Sequence, residues 1–336
     1  MKKILVTGGL GFIGSHTVVE LLNADFEVTI IDDLSNSTVD VLDRICEITR
    51  KKPEFYQLDL KVKSDVREFF NKTKVDGIIH FAAFKAVGES VQKPLDYYEN
   101  NIGSLVYLLQ EMRDRNLNNF IFSSSCTVYG QADELPITEK APIKPAESPY
   151  GNTKQIGEEI IKEASKAHGF NAIALRYFNP IGAHDSIKIG ELPLGIPQNL
   201  IPFITQTATG IRKELSIFGG DYPTKDGTAI RDYIHVVDLA KAHIAALKRL
   251  LMNDNKDHFE FFNIGTGKGS SVLEIVQSFE KVSSKKLNYK IVERREGDVT
   301  AAYADTTLAK NELNWNSEKT IEEAIESAWK WQQSLK

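Results

Sequence analysis

The stretch Thr7-Gly8-Gly9-Leu10-Gly11-Phe12-Ile13-Gly14 constrains this chain more than any other. It follows the apolar run Ile4-Leu5-Val6 and opens a helical pattern carried by Ile13, Val18, Leu21 and Leu22. The glycines at 8, 11 and 14 therefore stand at a strand-to-helix turn. Such a turn needs one glycine for a tight bend, one where the backbone approaches a pyrophosphate, and one where helix packs on strand. The first N–H groups of the helix then face an anion. A second strand, Val28-Thr29-Ile30-Ile31, ends at Asp32-Asp33. A carboxylate at Asp32 accepts from the adenosine ribose hydroxyls and repels a 2′-phosphate. No Arg or Lys stands beside it, so NAD is expected in preference to NADP.

The first half continues to alternate. Further strand patterns fall at 55–58, 77–81, 120–123 and 172–175, with helical stretches at 64–72, 100–115 and 149–168. That alternation predicts an α/β fold, a Rossmann-type doubly wound parallel sheet, with a smaller C-terminal α/β lobe for the substrate. The expected division is 1–180 for the NAD-binding part and 181–336 for the lobe, with segments near 235–265 packing back on the sheet. Residues 180–230 are rich in Gly, Pro and polar side chains and show little periodicity. Beyond them, Val236, Ala240, Ile244, Leu247 and Leu251 form one helical stripe. Helical patterns follow at 272–282 and 321–331, with a β-like run at 259–264 between. The run Gly265-Thr266-Gly267-Lys268-Gly269-Ser270 resembles a Walker loop, but Gly269 separates Lys268 from Ser270, so a turn is expected.

Composition narrows the chemistry. Lys+Arg number 41 and Asp+Glu 46 in 336 residues, a net charge of −5 that argues against nucleic acid as the main partner. Two cysteines, Cys46 and Cys126, allow neither a disulfide scaffold nor a Cys-based zinc site, and no HExxH is present, so no bound metal is expected. No apolar run is long enough to span a membrane. Gly8-Gly9 interrupts the N-terminal apolar run at once, so it reads as a strand and not a signal peptide, and a cytoplasmic location is expected.

The segment Ser148-Pro149-Tyr150-Gly151-Asn152-Thr153-Lys154 begins another helix, with Ser148 as N-cap and Pro149 at the first position. Tyr150 and Lys154 are then i and i+4 on one face. A free tyrosine ionises near pH 10. A nearby ammonium and a cationic nicotinamide both favour the phenolate, making Tyr150 a base for an alcohol proton. Ser123-Ser124-Ser125-Cys126-Thr127 ends a strand of the same sheet, where ligands of such folds bind. A hydroxyl from this run can bond a substrate oxygen and relay its proton.

These motifs together resemble the extended short-chain dehydrogenase/reductase superfamily. Within it, five runs are similar to the UDP-glucose 4-epimerase family: His80-Phe81-Ala82-Ala83-Phe84-Lys85-Ala86-Val87-Gly88-Glu89-Ser90-Val91, Arg176-Tyr177-Phe178-Asn179-Pro180, Asp221-Tyr222-Pro223-Thr224, Arg231-Asp232-Tyr233-Ile234-His235 and Arg294-Arg295-Glu296-Gly297-Asp298. The resemblance spans nearly the whole chain. It implies tightly held NAD, a UDP-sugar substrate, interconversion of UDP-glucose and UDP-galactose through a 4-keto sugar, and a homodimer. It gives Tyr150, Lys154 and Ser125 the catalytic roles, with Thr127 as the reserve hydroxyl. It implies cofactor contacts at Gly8, Gly11, Phe12, Ile13, Gly14, Asp32, Asn36, Asp59, Leu60, Phe81, Ala82, Lys85, Asn100 and Phe178. It implies substrate contacts at Asn179, Asn199, Leu200, Ile217, Phe218, Arg231, Tyr233, Arg295 and Asp298. The chemistry suits these positions, since Arg231 and Arg295 can fork onto a diphosphate, Asp298 can accept from ribose hydroxyls, and Phe218 offers a face to uracil.

One departure concerns specificity. Relatives restricted to unacetylated sugars carry a bulky Tyr where this chain has Ala302, between Asp298 and Asp305. The small side chain implies room for a 2-acetamido group, and so for UDP-N-acetylglucosamine and its galacto epimer. Two other readings keep the glycine loop: a nucleotide-sugar 4,6-dehydratase and a non-enzymatic NAD-binding regulator. The first needs an Asp-Glu pair after the active Thr, where Val128-Tyr129 stand here; the second typically loses the Tyr or Lys that this chain keeps.

Overall fold

Parallel strands buried on both faces read as apolar runs, and those runs organise the core. A computed structural model describes residues 1–295 and 297–335. In chain order the first elements are β1 (Lys3–Thr7), α1 (Phe12–Asn23), β2 (Glu27–Asp32), α2 (Asp40–Thr49), β3 (Glu54–Gln57), α3 (Lys63–Lys72) and β4 (Gly77–His80). They continue through α4 (Val87–Gln92), α5 (Pro94–Tyr98), α6 (Ser104–Arg115), β5 (Asn119–Ser123), α7 (Pro149–His168) and β6 (Asn171–Tyr177). The strand Phe259–Ile264 adds beside β6, giving a seven-stranded parallel sheet in the order 259–264, β6, β5, β4, β1, β2, β3. The order reverses between β4 and β1, which opens a crevice at their carboxyl ends.

Strand alternation sends neighbouring residues to opposite layers. Ile4, Val6, Ile30, Ile79 and Ile121 pack with Val18, Leu21 and Leu22 of α1 and with Leu239 and Leu247 of the helix Val236–Leu251. Leu5, Ile31, Ile78, Phe120 and Phe122 face Val66, Phe69 and Phe70 of α3, Leu105, Leu108 and Met112 of α6, and Ile161 of α7. The stripe at 236–251 thus covers the sheet.

The smaller lobe has its own core, in which Ile201, Ile204, Leu215, Ile217, Ile275, Phe279, Ile325 and Trp329 meet. Its helix Leu200–Ala208 and strand Leu215–Phe218 lie inside 180–230, where the sequence has little period. A four-residue strand is too short to display one, and its parallel partner, Tyr289–Val292, is remote in sequence. The expected helix at 100–115 is also modified. Residues Glu99–Gly103 form a π turn before α6, which buries Asn100 and Asn101. Such turns recur at functional sites. The Walker-like run is a turn leading to Ser271, which caps the helix Val272–Ser283 with Glu274 in a capping box. Among the described residues no helix is long and apolar enough to cross a membrane, and no cluster of His, Cys, Asp and Glu could hold a metal.

Candidate active site

The glycine loop is shaped by close approach. Gly8 has φ +68°, and a Cβ there would lie 2.8 Å from the Ala82 nitrogen. A Cβ on Gly14 would lie 2.1 Å from the Gly8 carbonyl oxygen, so only glycine lets α1 sit this near β1. Gly11 is the N-cap of α1, with no side-chain cap and no acidic residue in the first turn. The opening N–H groups are therefore left to an anion. Asp32 is buried at the end of β2. Its Oδ2 accepts from the Leu10 N–H at 3.0 Å, and Oδ1 accepts from the Leu34 N–H at 3.0 Å and from Ser37 Oγ at 2.8 Å. It thus braces the glycine loop as well as facing the crevice. Asp33 is taken up by its own turn, accepting from the N–H and hydroxyl of Ser35.

A cleft of about 960 Å³ runs from this loop to α7. Gly8, Gly11, Phe12, Ile13, Gly14, Asp32, Asn36, Asp59, Leu60, Phe81, Ala82, Lys85 and Asn100 all line it, together with Tyr150, Lys154 and Asn199. The Leu60 side chain is only 5% exposed and packs into the layer under α3, so it closes the floor. Phe178 does not line this cleft. It is buried with Val128, Tyr129, Ile137 and Ala302, one residue beyond Tyr177, which does line the cleft.

Ser148 accepts from the Gly151 N–H and starts α7 as the sequence implies. Lys154 Nζ lies 5.8 Å from the centre of the Tyr150 ring and 4.9 Å from that of Phe122, and donates to the Ser123 carbonyl at 2.7 Å. The three serines have different partners. Ser123 shares a short hydrogen bond with the Tyr177 hydroxyl, and Ser124 donates to Glu158 Oε1 at 2.5 Å. Ser125 accepts only a local bond, from the Thr127 N–H at 3.2 Å, and lies close enough to Tyr150 to favour its phenolate. The Thr127 hydroxyl is buried without a partner. Of the three serines, Ser125 is the one whose hydroxyl is beside Tyr150.

Burial dominates the electrostatics. It lowers Lys154 to about 8, against the opposing pull of Glu158. Burial, then Tyr177, push Tyr150 well above the ordinary tyrosine range, outweighing Ser125. The expectation that Lys154 lowers the Tyr150 pKa is thus not met by these side chains alone. Burial opposes the phenolate among these side chains, and a cationic nicotinamide would favour it. Cys126 is pushed up to about 12 by burial, which makes it a poor nucleophile.

Two buried polar groups escaped the sequence reading. Glu158 accepts from Arg176 Nε at 2.9 Å and from its Nη2, while Nη1 donates to the Tyr129 hydroxyl at 2.9 Å, which donates to Asn263 Oδ1 at 2.7 Å. This network lies directly behind Ser124. Asp232 accepts from the N–H groups of Thr266, Gly267 and Ala304, pinning two loops beside Arg231. Arg176 and Asp232 both stand within the sequence runs quoted above, which is the one signal that could have found them.

On the lobe side, Arg231 and Arg295 converge on Asp298 Oδ1, at 3.3 and 2.9 Å. Arg295 stands 5.8 Å over the exposed ring of Phe218. Arg294 instead pairs with Asp221. Ala302 is buried and registers with Arg231 across two short strands. Asn179 registers with Tyr233 in the same way. Ile217 is placed differently from its neighbour Phe218. Its side chain is 1% exposed inside the lobe core, because strand alternation turns it away from Phe218. Tyr233 and Leu200 also pack on that core, so they frame the site more than they enter it.

The family model for GDP-mannose 4,6-dehydratase matches residues 5–328. UDP-glucose 4-epimerase of Pasteurella multocida is 49% identical over 330 residues, covering 98% of this chain and 97% of its own. The crystal structure of UDP-glucose 4-epimerase from Bifidobacterium longum in complex with NAD+ and UDP matches with a TM-score of 0.95 at 44% identity, covering 99% of this chain and 98% of that one. The structure of the UDP-Glc/GlcNAc 4-epimerase from Campylobacter jejuni matches with a TM-score of 0.85 at 36% identity, covering 99% and 100%.

Proposed function

The chain belongs to the UDP-glucose 4-epimerase family, and we propose that it interconverts UDP-glucose and UDP-galactose with NAD in the long cleft, through Tyr150, Lys154 and Ser125. The observation that carries this reading is the placement of Tyr150 and Lys154 at the end of the same cleft whose other end is the uncapped α1 terminus and Asp32. The glycine cradle, the free N–H groups and the ribose-facing carboxylate fit a dinucleotide diphosphate. Held there, NAD would supply a two-electron acceptor suited to reversible hydride transfer at the sugar C4.

Tyr150 accepts the proton of the sugar 4-hydroxyl and gives it back to the epimer. Ser125 bonds the same oxygen and carries the proton where the phenol oxygen is not in direct reach. Lys154, held by the Ser123 carbonyl, adds one positive charge 5.8 Å from the Tyr150 ring centre and would bind the nicotinamide ribose. Arg231 and Arg295 bind the UDP diphosphate. In doing so they exchange Asp298 for phosphate oxygens, which frees that carboxylate for ribose hydroxyls.

A 4,6-dehydratase is disfavoured by the positions after Thr127. Val128 and Tyr129 are fully buried in an apolar cluster and offer no carboxylate. Ala302 is a small, buried member of the Phe178 cluster, and its size supports a reading in which the site also takes UDP-N-acetylglucosamine. The experiment is incubation of the pure chain with each UDP-sugar, followed by separation of the epimers. Ala302→Tyr is expected to cut turnover of the acetylated sugar by about a hundredfold while sparing UDP-glucose. No turnover of the acetylated sugar, or equal turnover in the variant, refutes the extension. A homodimer is proposed through helices of the nucleotide-binding part, and light scattering at the monomer mass refutes it.

A further inference from the structure

Glu191 lines the long cleft, between Lys85 and Asn199. Its Oε1 accepts from Asn199 Nδ2 at 2.5 Å and from Lys85 Nζ at 3.1 Å. Its own backbone is fixed from behind, because the carbonyl accepts from Trp331 Nε1 at 3.0 Å. The neighbouring Gly190 packs against that indole, where a Cβ would come within 2.5 Å of the ring. The carboxylate side chain is 12% exposed and Lys85 46%, so the ion pair is solvent-screened and contributes little by itself. The bond to Asn199 is the shorter and the less exposed of the two.

A carboxylate can only accept hydrogen bonds, so it dictates which end of the Asn199 amide faces it. The NH₂ group must point at Glu191, and Oδ1 is then turned away as an acceptor. We propose that Glu191 is a positioning residue that locks the Asn199 amide so its oxygen accepts a hydroxyl of the bound sugar. This rests on the reading of Asn199 as a substrate contact. Gln at 191 keeps the shape but can donate as well as accept, so the amide of Asn199 is no longer held in one orientation.

The test is steady-state epimerisation of UDP-glucose by the intact chain, with cofactor content and melting point measured for each variant. E191Q is expected to raise KM about tenfold, the effect of losing one hydrogen bond, with kcat within about twofold. Its NAD content and melting point are expected to match the parent. N199A is expected to raise KM similarly, and the double variant to be no worse than N199A. If N199A raises KM and E191Q does not, Glu191 has no positioning role. If the two effects multiply in the double variant, they act independently and the proposal falls. If E191Q loses NAD or melts early, its role is structural or cofactor-binding instead. If N199A leaves KM unchanged, the substrate contact itself is wrong, and the proposal fails with it.

Discussion

Replacing Glu158 by Gln probes the polar support beneath the catalytic helix. Glu158 is 4% exposed and Arg176 3%, so neither charge is hydrated to any extent. The carboxylate accepts two bonds from the guanidinium and one from Ser124. The guanidinium carbon lies 4.0 Å from the Phe261 ring centre and 4.9 Å from that of Tyr129, which closes its other faces with aromatic carbon. The substitution keeps the volume, removes the charge and aims an NH₂ group at a residue that can only donate. Breaking a buried pair from one side destabilises by about 3–5 kcal/mol, because the surviving charge has no partner. Domains are stable by only about 5–15 kcal/mol, so the loss is a large share of the total. Urea unfolding followed by tryptophan fluorescence measures it. Adding Arg176→Met, which removes the orphaned charge, is expected to recover much of the loss. An unfolding free energy for E158Q within about 0.5 kcal/mol of the parent refutes the reasoning, as does a double variant weaker than the single.

Other outcomes follow from the same geometry. Tyr150→Phe and Ser125→Ala are each expected to lower kcat by about 10²–10⁴-fold with NAD content unchanged, measured by single-turnover epimerisation. Burial holds Lys154 at about 8, below its ordinary 10.5, so the unfolded chain binds more protons across that window. Stability from this group therefore rises as pH rises from about 8 towards 10.5, and the parent-minus-Lys154→Met difference in unfolding free energy isolates the rise. Gly14→Ala places a methyl 2.1 Å from the Gly8 carbonyl. It is expected to destabilise by about 3 kcal/mol or more and to yield protein without bound NAD, read from cofactor extracted after purification.

The legible parts of this chain are those where one local pattern meets one physical demand. The glycine loop needs three glycines at set positions, and Ile4–Val6 or Ile30–Ile31 must be apolar because a parallel sheet buries both faces. Tyr150 and Lys154 were visible because i and i+4 share a helix face. What stayed hidden is fixed by distant partners. Glu158 reads as one more solvated helix charge until Arg176, from the next strand, is brought against it. Asn100 reads as ordinary helix, since nothing local announces a π turn. The neighbours Ile217 and Phe218 must face opposite ways, but only the lobe core decides which one turns inward. The orientation of Asn199 depends likewise on Glu191, eight residues earlier, across a loop with no periodicity.

The central claim is that the sugar C4 loses and regains the same hydride while Tyr150 handles the proton. UDP-glucose carrying deuterium at C4 tests it directly, with the epimer isolated after turnover in ordinary water and analysed by mass and NMR. The expected product is UDP-galactose of unchanged mass with the deuterium still at C4. Loss of the label to solvent, or a product lighter by one water, contradicts it.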